Sequence, residues 1–218
     1  MKKVAVIHTT PATIESLSVL IKNEIADVKV INILDDSILL DMINKNHVEL
    51  VEERWLKYAE IAVSMGVDAV LSACSSVGEF AEKANELYNT PIYRIDEAMA
   101  EKAVSMGQTI SIFATLSSTL DPTAGLVQRK AKLAGKNCTI NLVLVPNAYE
   151  ELMKGNRDLH NKKIQEAVLE YAAGSDVIVL AQASMASAVD GLDGIDKEKV
   201  LVNSQISLCC TNTITDVF

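Results

Sequence analysis

VLSACSS, residues 70–76, and VIVLAQASM, residues 177–185, are the two stretches on which the reading of this chain turns. Both are short, β-type apolar runs that end in small and polar residues, as strands do before their loops. An aspartate opens each copy, Asp68 and Asp176. Six residues on from each stands Cys74 in the first copy and Gln182 in the second. The copies lie 182 − 74 = 108 residues apart. VAVIHTT (4–10) lays over ISIFATL (110–116) at 106, and the later strands that start at Ile92 and Leu201 lie 201 − 92 = 109 apart. Near-constant spacing over three landmarks predicts two similar halves built in the same order.

Working outward, β-type runs alternate with amphipathic runs along the whole chain, the pattern of parallel sheets wound by helices. Strands are expected at 4–8, 28–34, 92–95, 109–114 and 139–145, besides the two quoted runs. Thr10-Pro11 suits a helix start, and Ile14, Leu17, Ile21 and Ile25 share one helical face. Val48, Val51, Trp55, Tyr58, Ala62 and Met65 mark another helix that stops at Gly66. Further helices are expected over 76–87, up to about 107, 122–133, 161–173 and at the end of the chain. The expected fold is α/β: two pseudo-symmetric lobes, each a parallel sheet flanked by helices, with the active-site cleft between them at the carboxyl ends of the strands. Residues 1–96 with about 205–218 form the expected first lobe and 97–204 the second.

Composition narrows the function classes. With 49% hydrophobic and 22% charged residues, the 218-residue chain has enough apolar sequence for a substantial core. A net charge of −9 and the absence of clustered Lys and Arg argue against nucleic acid as a partner. Apolar stretches fall far short of the roughly 20 residues of a membrane helix, and the N-terminal residues lack a leader's apolar core. A cytoplasmic protein with no membrane partner is expected. Cys74, Cys138, Cys209 and Cys210 show neither CxxC nor zinc spacing, so reduced thiols and no metal site are expected. Cys138, Cys209 and Cys210 read as small buried hydrophobes.

Four hydroxyl-rich loops follow expected strands: Thr9-Thr10, Ser75-Ser76, Thr115 with Ser117, Ser118 and Thr119, and Ser184 beyond Gln182. Any one hydroxyl there caps a helix more often than it binds a ligand. Four loops at equivalent strand ends favour a small anion, since helix starts offer unpaired N–H groups and partial positive charge. Cys74, set before a helix start among hydroxyls, is expected to have its thiol pKa lowered from about 8.5. Asp35 reads as a turn cap, and Asp96 and Gln205 as helix caps. His47 and His160 read as solvated, and Glu79, Glu82 and Glu86 as a wet helix face.

Ala73-Cys74-Ser75-Ser76 resembles the first cysteine motif of the aspartate/glutamate/hydantoin racemase superfamily, and the resemblance extends over essentially the whole chain. It implies two pseudo-symmetric lobes, a small carboxylate substrate such as an amino acid or derivative, no pyridoxal phosphate, metal or other cofactor, and a homodimer. In that superfamily two cysteines face opposite sides of a substrate α-carbon, one removing the proton and the other returning it. Gln182 stands where the second cysteine would be. His8-Thr9-Thr10 replaces the acidic residue of glutamate racemases, and Ala183-Ser184 the histidine. A carboxamide has no useful acidity near neutral pH, so Gln182 cannot move the second proton; its NH2 group can hold a carboxylate or oxyanion. The expectation is a racemase-like isomerase with Cys74 as its one thiol acid/base and Gln182 beside it in the chemistry. A one-thiol decarboxylase and a non-catalytic anion-binding protein are the alternatives, and His8 is open as a second acid/base group.

Overall fold

Lys2–His8 (β1) and Val28–Leu34 (β2) pair in parallel from Lys2 opposite Val28 to His8 opposite Leu34. A computed structural model describes residues 1–45 and 47–202, so Cys209, Cys210, Gln205 and the expected terminal helix lie outside the described residues. Between the two strands Pro11–Thr13 makes one 3-10 turn and Ile14–Glu24 forms α1, whose Leu17 and Ile21 are buried. Ser37–Asn44 (α2) and Val48–Ser64 (α3) precede Ala69–Ser72 (β3), which pairs with β1 from Val4 opposite Ala69. Gly78–Leu87 (α4) then leads to Ile92–Arg94 (β4), giving a four-stranded sheet in the order β2-β1-β3-β4.

Alternation along the strands divides the core of this unit between two faces. Val4, Val6 and Leu71 pack with Leu17, Ile21 and Ile25 from the α1 side. Ala5, Ile7 and Val70 pack with Val51, Trp55 and Phe80 on the α3 and α4 side. Each fully buried aliphatic side chain contributes about 1.5–3 kcal/mol. β3 is buried along its whole length, as its unbroken apolar run requires, whereas edge strand β2 is part-exposed.

A second unit begins at Asp96. Glu97–Met106 (α5), Thr109–Ala114 (β5), Ser117–Leu133 (α6), Thr139–Leu144 (β6), Ala148–Met153 (α7), Arg157–Tyr171 (α8), Val177–Leu180 (β7) and Val200–Val202 (β8) follow in turn. Its strands are also parallel, in the order β6-β5-β7-β8, the same order as in the first sheet. Phe113, Ile178 and Leu180 pack with Ile164, Val168 and Met185.

Asp68 and Asp176 do the same job in the two units. Asp68 Oδ2 accepts from the Lys3 N–H at 2.7 Å, and Asp176 Oδ2 from the Thr109 and Gln108 N–H groups at 2.8 and 2.9 Å. Each carboxylate ties the approach to one central strand to the start of its neighbour. The Thr109 and Gln108 N–H groups hold the Asp176 carboxyl below its ordinary range.

Three expectations change. α6 starts at Ser117, five residues before the expected Pro122, because a proline in the second turn removes one N–H without breaking the helix. α2 and α7 are short helices that the apolar periodicity did not show. His160 is fully buried, where a solvated side chain was expected, since α8 turns it inward beside Ile164.

Candidate functional site

Cys74 stands two residues beyond β3 and begins a 3-10 turn over Ser75–Val77. The Ala73 N–H donates to the Ile7 carbonyl at 2.9 Å, so strand pairing persists to the residue before the cysteine. This brings Thr9, just past β1, beside Cys74. Ser75 and Ser76, which follow it, are buried. Thr9 Oγ1 is buried without a well-formed hydrogen bond, yet lies close enough to the sulfur to favour a thiolate.

Burial pushes the Cys74 thiol above its ordinary value; the Thr9 hydroxyl, the Ser76 N–H and hydroxyl and the Val77 N–H pull the other way without overcoming it. The lowered pKa expected from sequence therefore does not hold. Part of the residue reaches solvent, but the sulfur is packed against the apolar cluster around Val77 and Phe80, and desolvation dominates. The group is a protonated thiol at neutral pH, with donors in place to receive a thiolate.

Gln182 occupies the matching place two residues past β7, where the Ala181 N–H donates to the Phe113 carbonyl at 2.9 Å. Thr115, just past β5, donates to Gln182 Oε1 from its N–H at 2.5 Å and from Oγ1 at 2.9 Å. A backbone N–H only donates, so this contact fixes the oxygen end of the carboxamide and turns the NH2 end away from Thr115. Thr9 with Cys74 and Thr115 with Gln182 are thus the same pairing of strand ends, one in each unit.

The other hydroxyls divide. Thr10 is a cap: its Oγ1 accepts from the Ala12 N–H at 3.4 Å. α6 has Leu116 at its N-cap, with no side-chain cap; of the hydroxyls behind it Thr119 is buried, Ser118 half-buried and Ser117 exposed. Ser184 is half-buried in a 3-10 segment, Ala183–Gly191. Among the described residues no three His, Cys, Asp or Glu side chains gather as a metal-binding group, and no helix is long and apolar enough to cross a membrane.

His8 belongs to the framework. Its Nδ1 lies 2.8 Å from Thr13 Oγ1 and its Nε2 2.9 Å from Asn32 Oδ1, so the neutral ring satisfies both by accepting from one and donating to the other. Burial lowers its pKa against the opposing pull of Asn32. Asp35 is the expected turn cap, bound by the Ser37 N–H and hydroxyl, and it also meets Tyr58 and Arg54.

Arg94 escaped sequence reading. Only 2% exposed at the end of β4, it donates to Glu82 Oε1 at 2.5 Å, so Glu82 is not part of a purely wet face. A Cβ on Gly78 would overlap the Arg94 guanidinium. The available signal was a lone arginine between Tyr93 and Ile95 in an otherwise apolar strand.

Comparison with known proteins fits this geometry. No curated protein matches the sequence. A glutamate racemase from Bacillus anthracis has a similar fold with a TM-score of 0.78 at 12% identity, covering 99% of this chain and 82% of that one. For a glutamate racemase from Francisella tularensis in complex with D-glutamate the values are 0.76 and 11%, covering 100% and 83%. An allantoin racemase from Klebsiella pneumoniae gives 0.67 and 16%, covering 100% and 89%. These likenesses concern the fold. Sequence carries the kinship itself: residues 4–202 match the Asp/Glu/Hydantoin racemase family, and with its two parallel four-stranded sheets the chain belongs to that family.

Proposed function

We propose that this chain is a racemase-like isomerase that acts without a cofactor on a small carboxylate, an amino acid or a derivative of one, with the Cys74 thiol as its acid/base group. The observation that carries the reading is the environment of the sulfur: a buried, protonated thiol with the Thr9 hydroxyl, the Ser76 hydroxyl and two N–H groups arranged to stabilise its thiolate. Once the resting thiol has given its proton to solvent, the thiolate takes the α-proton; the Cα–H bond breaks, S–H forms, and the electron pair moves onto the carboxylate as an enediolate. Donors supplied by the protein stabilise that oxyanion. Gln182 suits this role, because Thr115 commits its oxygen and leaves its NH2 as a donor.

A single thiol returns its proton to the face it left, and inversion takes its proton from solvent on the other face of the planar enediolate. Hydrogen exchange at the α-carbon that is faster than inversion is the expected signature. A one-thiol decarboxylase is the second reading, favoured by the thiol resting protonated: loss of carbon dioxide leaves its bonding electrons on carbon, and the S–H then protonates that carbon.

Both readings are tested by incubating wild type and Cys74→Ser with aspartate, glutamate, hydantoins and substituted malonates in D2O, following α-hydrogen and carbon dioxide. Exchange and slower inversion, the latter read by optical rotation, that are both lost in Cys74→Ser support the isomerase, and carbon dioxide release lost in the variant supports the lyase. Turnover that persists in Cys74→Ser sinks the thiol mechanism. Binding without turnover in either protein makes the chain an anion-binding protein.

A further inference from the structure

His160 is a buried titratable group that the chemistry above leaves unused. Its Nδ1 lies 2.8 Å from the carbonyl oxygen of Ala148, at the head of α7, and its Nε2 lies 3.3 Å from the carbonyl oxygen of Ser184. Carbonyl oxygens only accept hydrogen bonds. A neutral imidazole has one N–H and satisfies one of these two oxygens; an imidazolium has two and satisfies both.

Ser184 lies in the 3-10 segment Ala183–Gly191, directly after Gln182. Two other α8 side chains hold the same segment farther along. Asn161 Oδ1 accepts from Ser187 Oγ at 2.9 Å, and Gln165 Nε2 donates to the Ala188 carbonyl at 3.0 Å. Neither contact involves a titrating group. The proton-dependent contact thus falls at the head of the segment, where the Met185 N–H donates to the Gln182 carbonyl at 3.0 Å. Charged side chains on the surrounding elements are Glu150 and Glu151 on α7, Asp190 on the segment, and Arg157, Asp158, Lys162, Lys163, Glu166 and Glu170 on α8. Among the described residues none is ion-paired with the ring, and Glu151 is taken by Lys154 and Asn156.

We propose that His160 is a positioning residue for the Gln182 loop, and that one proton switches its hold on Ser184. As imidazolium it donates to both Ala148 and Ser184 and pins the head of the segment to α7 and α8. As neutral imidazole it keeps its N–H on the shorter contact, to Ala148 at 2.8 Å, and lets Ser184 at 3.3 Å go. This control of the loop stands on geometry alone; its bearing on activity rests on the role proposed for Gln182.

The test uses the full chain with 15N-labelled histidine. Imidazole 15N shifts report the charge and tautomer of His160 between about pH 5 and 8, the range in which histidine charge ordinarily changes. Amide hydrogen exchange is followed over the same range and corrected for its intrinsic pH dependence. Exchange at residues 183–185 is expected to rise tenfold or more as His160 loses its proton, with the same midpoint, while residues 187–189 change little. His160→Gln removes that dependence and His47→Gln keeps it. The proposal is overturned if His160 holds one charge state throughout, if residues 183–185 are indifferent to its titration, or if His160→Gln keeps the dependence. Should His160→Gln fail to fold, the wild-type titration and exchange decide the matter by themselves.

Discussion

Arg94 lies so closely over Gly78 that the glycine has no room for a β-carbon. Backbone conformation does not demand glycine here, since φ is −60° and ψ −35°, ordinary helical values. Space demands it. Arg94 is almost fully buried and bonded to the part-exposed Glu82, so it cannot swing away without breaking that ion pair. Gly78→Ala is therefore expected to lower stability by about 1–3 kcal/mol in urea unfolding, although alanine favours a helix by about 1 kcal/mol. A variant as stable as wild type would show that Arg94 repacks freely.

Thr115 makes two donations to one oxygen of Gln182. Replacing that oxygen with methyl groups in Gln182→Leu strands both donors and is expected to cost about 1–3 kcal/mol. Gln182→Glu keeps an acceptor in place, and its stability is expected within about 1 kcal/mol of wild type. It loses the NH2 donor and adds a negative charge, so affinity for small carboxylates, read by calorimetry, is expected to fall at least tenfold.

Cys74 provides a pH signature. Its folded pKa is raised above that of the unfolded chain, so in the window between the two values, upward from about 8.5, the unfolded state has already lost a proton that the folded state keeps. Stability falls with rising pH there, and Cys74→Ser removes that part of the decline. Alkylation of Cys74 by iodoacetamide should show a midpoint above about 8.5. Thr9→Val, which removes a group that favours the thiolate, should move it higher still; a midpoint that drops in this variant contradicts the pairing.

Asp35 titrates in the opposite sense. Burial alone would raise its carboxyl, but hydrogen bonds from Ser37 and Tyr58 and the charge of Arg54 outweigh that and hold it below the usual range. Its contribution is present above about pH 3.9, the value of an unfolded aspartate, and is lost as pH falls through the lower folded value. Asp35→Asn is expected to cost on the order of 1–2 kcal/mol at neutral pH and progressively less in acid. Parallel acid unfolding curves for the two proteins would rule this out.

Much of the architecture was readable because parallel strands covered on both faces leave unbroken apolar runs. β2 spans Val28–Leu34 as expected, and the adjacency of β1 to β3 makes Thr9 a neighbour of Cys74 once strand order is known. His160 was misread for a physical reason. Its local sequence, Asn156 to Lys163, is strongly polar, and what buries the ring are carbonyl groups 12 and 24 residues away. The Cys74 pKa was misjudged because helix-start donors are visible in sequence, whereas desolvation by Val77, Phe80 and their neighbours needs three dimensions. Arg94 is hidden similarly, its place depending on the missing side chain of a residue sixteen positions earlier.

The two donors of Thr115 form a socket that asks only for a lone pair. A carboxamide oxygen fills it in this chain, and the carboxylate oxygen of a glutamate, on a side chain of the same length, meets the same demand. The contact at position 182 therefore asks for an acceptor and not for a particular acidity: Gln182→Glu changes the acidity there while leaving Thr115, β5 and β7 the same partner. If Gln182 has the role proposed for it, one substitution at this position changes what the scaffold offers a ligand, a neutral donor or a charge, without rebuilding its core.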